Sequence, residues 1–415
     1  MTSDAATRLP PAIYLLMAAQ SLSLCTAPLY FLSGGIIGHA LAPRPGLATL
    51  PVACIIIATA SSVLPVTRLM QRLGRRRVFI AGALCNALGA ACAATALLER
   101  SFALFCTAGA LAGVSIAVAQ QYRFAAIETV PPALAGRATA RVLLAGLLAA
   151  WLGPELVVWG AFAEAQPWSA AALPAQRAFV GGYTLLAVIA LINALLLGAA
   201  YRNVRISAGS VSGRPRPLRE ILRSPALRLA IVAAAMGYAM MSFVMTATPL
   251  SMHSVNGHSM LDTKWVVQSH IMAMFAPSLF SGWLISRLGH RRLITAGALI
   301  YALCLGVAAA GQHLMHYWWA MVLLGLGWNF LFVGGTALLP QCHRPAERFR
   351  VQSANELAVF GSQALAALGS GWVIDRFGWS TLVGVAALMV VVLLWGLWQA
   401  RSPDAALQPA GSAGS

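Results

Sequence analysis

A few ionisable side chains lie inside long apolar stretches of the sequence, where a charge is costly and therefore a candidate for function. Glu155 follows Gly153–Pro154 in the apolar run 141–161, and His270 lies in the run 264–285. A carboxylate in apolar surroundings favours its protonated form, and an imidazole titrates near neutral pH, so both are candidate proton carriers. The alternative for each is structural: Glu155 hydrogen-bonded where Pro154 breaks its helix, and His270 hydrogen-bonded within a helix bundle.

Polar and aromatic side chains in the same apolar runs could bind an organic solute. Arg123 could hold an anionic group, pair with Glu128, or extend to the membrane surface. Trp328 is expected near the middle of its run, and Tyr238 lies in a run rich in methionine. Rings, amides and flexible Met side chains suit a partly apolar ligand, although Met at helical spacing also serves in packing. The candidate substrate-binding residues are Gln121, Arg123, Tyr238, Gln268, Trp328 and Asn329.

The composition indicates a membrane protein. Of the 415 residues, 59% are hydrophobic and 9% are charged, and the mean hydropathy is +0.76. Soluble domains carry about 25% charged residues, so most of this surface must face a lipid bilayer. The formal charge of +17 comes from arginines in short clusters between apolar runs, a pattern typical of membrane topology and not of nucleic-acid binding. The seven cysteines form no CxxC pair, and we expect no metal site, disulfide framework or cofactor.

Twelve apolar runs are long enough to cross a membrane. Six precede a polar stretch and six follow it, which predicts an all-α membrane protein of twelve transmembrane helices in two six-helix bundles. The predicted units are an N-terminal bundle at 1–200, a cytoplasmic linker at 201–227, a C-terminal bundle at 228–400 and a disordered tail at 401–415. The runs are 12–38, 46–69, 77–97, 102–124, 141–161, 178–200, 228–250, 264–285, 292–310, 317–339, 353–373 and 380–400.

The basic residues predict the orientation of these helices. With twelve helices, 22 basic residues fall in loops on the side of both termini and five in loops on the other side. Positive residues are retained in the cytoplasm, so we expect both termini to lie there. We expect the helices to cross the inner membrane of a bacterium.

An internal repeat supports the division into two halves. Residues 72–84 read RLGRRRVFIAGAL and residues 287–299 read RLGHRRLITAGAL, with nine of thirteen positions identical. Each copy lies between the second and third run of its half. Such a match indicates two bundles of the same orientation, related by an axis along the membrane normal.

The repeated segment resembles the loop between helices 2 and 3 of the major facilitator superfamily, and the resemblance extends from the first run to about residue 400. That loop has the form G-x-x-x-D-R-x-G-R-[RK], but Gln71 and Ser286 replace its Asp here. The resemblance implies a transporter fold whose loop helps to close the cytoplasmic mouth. The loop glycine permits a tight turn. The arginines can pair with carboxylates or helix C-termini. A plain positive anchor at the inner leaflet is the alternative. The candidate cytoplasmic gate residues are Arg72, Gly74, Arg75, Arg76, Glu128, Arg287, Gly289, Arg291 and Glu356.

Together these features predict a secondary active transporter of a small organic solute, working by alternating access. No G-x-x-x-x-G-K-[ST] loop is present, so an ion gradient would drive transport, and Glu155 favours protons. We expect a monomer. A non-transporting receptor on a transporter scaffold is the alternative. A membrane-integral enzyme would need a catalytic constellation, and the eight scattered histidines do not provide one.

Overall fold

The computed structural model describes residues 9–130, 135–164, 179–202 and 216–399. Within these ranges the chain is almost entirely helical and contains no strand, which confirms the predicted all-α class. The predicted tail 401–415 and positions 203–215 of the predicted linker lie outside the described residues.

The first half of the chain contributes eight helices, some of which are pieces of one membrane span. The first span, Pro11–Leu41, is interrupted at Cys25, because Pro28 has no amide hydrogen to donate to Leu24. A second interruption at Gln120–Gln121 separates the two pieces of the span Phe102–Ala126. The helices are α1 (Pro11–Leu24), α2 (Thr26–Leu41), α3 (Leu50–Leu73), α4 (Arg75–Leu98), α5 (Phe102–Ala119), α6 (Tyr122–Glu128), α7 (Ala135–Glu164) and α8 (Val180–Ala200).

The second half contributes six helices. They are α9 (Leu218–Ile221), α10 (Pro225–Pro249), α11 (Met260–Phe275), α12 (Ser281–Ala310), α13 (Leu314–Leu338) and α14 (Arg348–Gln399). A π-helical turn, Leu250–Val255, extends α10, and a 3-10 turn, Ala276–Leu279, follows α11.

Nine helical stretches among the described residues are long and apolar enough to cross a membrane, and a shorter apolar helix spans Leu144–Gly160. The predicted runs 353–373 and 380–400 both fall within α14, which is kinked at Gly378. The predicted run 264–285 is broken near Pro277, which cannot continue the hydrogen-bond ladder of α11. Two runs therefore share α14, the run 264–285 is broken, and the run 141–161 contains only the shorter apolar helix. Together these three differences account for nine spans among the described residues where the sequence predicted twelve runs.

The turns between helices lie at two ends of the molecule. We call the end that carries Gly74, Gly289 and the 340–347 segment the basic end, because most arginine clusters lie there. The other end, with Arg100, the 256–259 turn and Gly378, is called the distal end.

Helices within each half pack closely through small residues. In the first half, a Cβ added to Gly109 of α5 would lie 2.6 Å from the carbonyl oxygen of Pro51 at the start of α3. In the second half, a Cβ on Gly325 of α13 would lie 2.5 Å from the carbonyl oxygen of His270 on α11. Close backbone approach of this kind is the usual basis of helix association in lipid.

The two halves contact each other mainly at the distal end. The most extensive contacts between helices of the two halves join α3 with α14, α7 with α11, and α2 with α10. Val52 and Ile56 of α3 pack with Ala364 and Ala367 of α14, and Thr49 lies against Gly371. This interface therefore closes the space between the halves on the distal side.

Candidate functional site

Aromatic side chains of four helices meet between the halves. We call Tyr238, Phe275, Trp328, Phe332 and Phe360 the central aromatic cluster. The Trp328 ring stacks on Phe332 with centroids 5.0 Å apart, and Tyr238 presents its edge to both at 5.2 and 5.1 Å. Tyr238, Phe332 and Phe360 are only half-buried, so ring surface remains available for stacking with an aromatic ligand.

Arg123 faces this cluster from the first half. It lies in the first turn of α6, next to the interruption at Gln121, with its guanidinium 4.8 Å from the Phe124 ring centroid. Its charge interacts with Tyr238 of α10 and Glu356 of α14, both in the second half. The alternative pairing with Glu128 is not found, because Arg75 occupies that carboxylate.

Two buried N–H groups at this site have no hydrogen-bond partner among the described residues. They are Nε of Arg123 and Nε1 of Trp328, and the Trp328 side chain is only 4% exposed. A buried donor without a partner costs about 1–3 kcal/mol, so these groups are suited to a ligand that supplies acceptors.

Glu356, a predicted gate residue, lies opposite Arg123 in the second half. It is half-buried on α14, and its charge interacts with Arg123. Among the predicted gate arginines, Arg291 donates to the carbonyl oxygen of Leu397 at 3.0 Å.

A second polar site joins the halves near the distal end. Lys264 Nζ of α11 donates to Oε1 of Glu155 on α7 at 2.6 Å, and the two side chains are 15% and 13% exposed. Gln268 Nε2 donates to the carbonyl oxygen of Trp151 at 2.8 Å and lies 3.4 Å from Glu155 Oε1. Gln268 thus supports this ion pair and is not part of the central aromatic cluster.

Glu155 lies toward the distal end of α7. The sequence placed it about 15 residues into the run 141–161, and α7 begins earlier, at Ala135. At 1.5 Å per residue, the twenty residues from Ala135 place Glu155 about 30 Å along the helix. Its partner Lys264 was not expected from the sequence, and the ion pair neutralises the carboxylate.

His270 and Asn329 lie in contacts between α11 and α13. Nδ1 of His270 is 2.7 Å from the carbonyl oxygen of Met321, which matches the structural alternative for this histidine. Asn329 Nδ2 donates to Met274 O and Ser278 Oγ, both at 2.7 Å. Both side chains are fully buried.

The repeated loops make equivalent contacts at the basic end. Gly74 and Gly289 have φ values of 81° and 76°. Arg76 donates to the carbonyl oxygen of Gly198 near the end of α8, as Arg291 does to Leu397 near the end of α14. Each arginine therefore binds the C-terminal end of the last helix of its own half, where partial negative charge accumulates.

The remaining loop contacts also stay within one half. Arg75 forms a bidentate pair with Glu128 at 2.9 and 2.5 Å, and the corresponding His290 Nε2 lies 3.0 Å from Gln341 Nε2. Arg72 is exposed, and the exposed Arg287 lies 4.9 Å from the Trp283 ring centroid. These contacts do not join the halves across the mouth.

The segment that leads into α9 is attached to the second half. Arg216 donates to Glu347 through Nε at 2.6 Å and Nη2 at 3.0 Å, and Glu347 also accepts from the amide of Arg344 at 2.9 Å. The Glu347 side chain is 0% exposed. The hydrogen bonds from Arg216, with that from the Arg344 amide, lower the pKa of Glu347 to about 2.

Several site residues escaped sequence reasoning. Lys264 is the chain's only lysine, but its place at the start of an apolar run suggested a loop residue. Phe275, Phe332 and Phe360 look like ordinary lipid-facing residues in sequence, and only the relative placement of helices shows them together. The Arg216–Glu347 pair joins positions 131 residues apart, and no local pattern predicts it.

Comparison with known proteins agrees with this architecture. The family model described as Major Facilitator Superfamily matches residues 12–263 and 230–414. The chain is 36% identical to the riboflavin transporter RfnT of Brucella anthropi over 387 residues, which cover 92% of this chain and 94% of that protein. It is 26% identical to the uncharacterised MFS-type transporter YddS of Bacillus subtilis, over 87% of this chain and 85% of that protein.

Solved structures with the same fold are also transporters. A bacterial homologue of the human lysosomal transporter Spinster, in an inward-facing and unoccupied conformation, aligns with a TM-score of 0.68 at 12% identity, over 95% of this chain and 98% of that chain. The human organic anion transporter MFSD10 (TETRAN) aligns with a TM-score of 0.65 at 14% identity, over 94% and 100%. With these matches, the membrane-spanning helices and the repeated loops, the chain belongs to the major facilitator superfamily, a family of membrane transporters and not of enzymes.

Proposed function

We propose that this protein is a secondary active transporter that moves a planar heteroaromatic solute of the flavin type across the bacterial inner membrane. The observation that carries the proposal is the central aromatic cluster, with ring surface exposed between the halves and Arg123 facing it. Such a site suits stacking of a flat ring with a few fixed polar contacts. The 36% identity to a riboflavin transporter over nearly the whole chain supports the same choice of solute.

The proposed topology has twelve transmembrane helices and both termini in the cytoplasm. In this assignment α14 contributes two spans that meet near Gly378, and the stretch interrupted near Pro277 contributes one. The proposed units are two six-helix bundles, 1–200 and 228–400, joined by the linker 201–227, in a monomer. The excess of arginine at the basic end supports its placement in the cytoplasm.

Alternating access follows from this arrangement. The main contacts between the halves lie at the distal end, so the central site would be reached from the cytoplasm in this conformation. Rocking of the halves about the site would separate the distal contacts and bring the basic ends together. The predicted gate role of Arg72, Arg287 and their neighbours belongs to that second conformation.

We further propose that protons drive transport and that Glu155 carries them. Its partner Lys264 lies in the other half, so opening of the distal end would separate the pair. An isolated carboxylate at the edge of the membrane then gains by binding a proton, which couples the proton to the conformational change. Lys264 would displace that proton when the distal end closes again.

Transport by purified protein in liposomes tests the proposal. With an imposed pH gradient, proteoliposomes should accumulate riboflavin faster than protein-free liposomes, and the accumulation should disappear when a protonophore collapses the gradient. Riboflavin binding without flux would instead favour the receptor alternative. Flux of other solutes with no riboflavin uptake would reject the flavin assignment and leave a transporter of different specificity.

A further inference from the structure

We propose that Arg123 and Trp328 read the carbonyl-bearing edge of the solute, so that the site selects fused-ring diones over other flat aromatic molecules. This inference rests on the proposed transport function and specifies the chemical feature of the solute that the site recognises. It assigns Arg123 and Trp328 the role of specificity determinants, while the surrounding rings supply stacking without discrimination.

The first support is the chemistry of the two side chains. A guanidinium offers five N–H donors and no acceptor, and an indole offers one N–H donor and no acceptor. Both have a buried donor atom without a partner among the described residues. A ligand satisfies them only by presenting acceptors, and the proposal assigns this role to carbonyl oxygens at one end of the ring system.

The second support is the position of these donors. Tyr238 lies with its centroid 5.2 Å from that of Trp328, and its hydroxyl group also interacts with the charge of Arg123. The two donors therefore border the same space, Arg123 from the first half and Trp328 from the second. Phe332 lies flat against Trp328, at an interplanar angle of 16°, and holds the indole plane in place.

The charges at the site restrict the solute further. Arg123 disfavours a cationic ring, and Glu356 close by disfavours a strongly anionic one. A neutral ring whose edge carries partial negative charge fits both. The dione edge of an isoalloxazine or pteridinedione ring has this character, whereas a sugar alcohol alone has no ring to stack.

The decisive experiment measures binding to the full-length protein in detergent. Riboflavin and lumichrome, which has the dione ring without the sugar chain, are titrated by quenching of their fluorescence. Phenazine is tested by competition, because it is a flat three-ring molecule whose only acceptors are the two nitrogens of its middle ring and it has no carbonyl group at the end of the ring system. The wild type should bind riboflavin and lumichrome at least about 10-fold more tightly than phenazine, as expected for two satisfied buried donors.

Two variants and two controls test whether Arg123 and Trp328 bind the dione edge of the solute. Trp328→Phe keeps a stacking ring and removes the N–H, and should weaken lumichrome binding about 3- to 10-fold. Arg123→Gln should weaken it about 10- to 100-fold. Phenazine binding should change by less than about 2-fold in both, so the preference for the dione falls. Trp319→Phe, on the same helix but 50% exposed, and Arg77→Gln, at an exposed position of α4, should leave all affinities unchanged.

The outcomes separate this inference from the transport proposal. Equal losses for lumichrome and phenazine in Trp328→Phe and Arg123→Gln would show a general packing effect and overturn the inference. So would riboflavin transport that survives both substitutions at the wild-type rate. A wild type that transports a solute but binds neither riboflavin nor lumichrome would reject the flavin proposal itself.

Discussion

The Glu155–Lys264 pair is a contact between single residues whose energy depends on the position of whole domains. The two side chains are mostly shielded from water, so separating them leaves each charge in poorly solvated surroundings. A proton on Glu155 removes one of these charges and makes the separated state less costly. In the proposed mechanism, this pair links proton binding to opening of the distal end.

Glu155→Gln should uncouple transport from the proton gradient. The amide keeps the shape of the side chain and a hydrogen bond to Gln268 or Lys264, but it cannot bind and release a proton as a carboxylate can. Gradient-driven accumulation of riboflavin in proteoliposomes should fall at least about 10-fold, corresponding to about 1.4 kcal/mol of lost coupling. Counterflow exchange, which needs no net proton movement, should persist.

Glu99→Gln is the matched control, because Glu99 is an exposed acid at the distal end. It should leave both activities at the wild-type level. Uphill accumulation by Glu155→Gln at the wild-type rate would contradict the role of Glu155, and Arg123, Glu128 and His270 would then be the next residues to test.

Glu347 contributes to stability through its charge. Its folded-state pKa of about 2 lies below the value of about 4.3 for an unperturbed glutamate. Its contribution is therefore complete above about pH 4.3 and is lost as the pH falls toward 2. Because the carboxylate is buried against Arg216 and the Arg344 amide, losing its charge weakens hydrogen bonds that are worth about 1.5–3 kcal/mol when charged.

Glu347→Gln should thus lower the Tm of the detergent-solubilised protein at pH 7 by about 2–4 °C per kcal/mol lost. The difference from the wild type should shrink between pH 4 and the lowest pH that the protein tolerates. Glu220→Gln removes a carboxylate that is 3.7 Å from Arg216 and half exposed. It should change the Tm by about 0–4 °C, less than Glu347→Gln does, because such exposed pairs contribute about 0–1 kcal/mol. Equal shifts for the two variants would show that burial of Glu347 does not matter.

Among the helices and their turns, the two repeated loops are the best-predicted elements. The sequence RLGRRR and its copy RLGHRR indicated tight turns at Gly74 and Gly289, and both have positive φ. The interruptions at Cys25 and Pro277 were not predicted. The apolar pattern continues through Pro28 and Pro277, and a proline's missing amide hydrogen affects only the hydrogen bonds of the helix. The partners of Glu155 and Arg123 were not predictable either, since each lies in the opposite half.

Gly289→Ala should destabilise the second half through its backbone alone. At φ 76° and ψ 161° the residue occupies a region that essentially only glycine adopts, and no atom lies within 4 Å of an added Cβ. The expected loss is about 1–3 kcal/mol, seen as a lower Tm and a lower yield of folded protein. Gly306→Ala, on the same helix with free space around it, should leave the Tm unchanged or raise it slightly.

In this conformation of the whole molecule the distal contacts between the halves are formed, and a disulfide bond across them should fix it. In a variant without the native cysteines, Thr49→Cys and Gly371→Cys place thiols at positions that touch across the halves. Oxidation should cross-link this pair and abolish riboflavin transport by at least about 90%, because the halves can no longer separate there, and a reductant should restore it.

Arg72→Cys with Arg287→Cys, in the equivalent loops at the basic end, is the complementary pair. It should cross-link less readily in the resting protein than the distal pair. Faster cross-linking at the basic end would mean that the closed mouth, and not the closed distal end, predominates in the membrane.

Arg76 and Arg291 each bind the last helix of their own half, and Arg216 binds Glu347 within the second half. These contacts lie within each half and do not depend on the peptide linker that joins the two halves. A gene cut ahead of the codon for Arg216 would encode two polypeptides that retain all of these contacts. Such a pair of fragments offers a route to duplicating, exchanging or separately labelling the halves, and it is consistent with an origin of the chain by fusion of two copies of one ancestral six-helix protein.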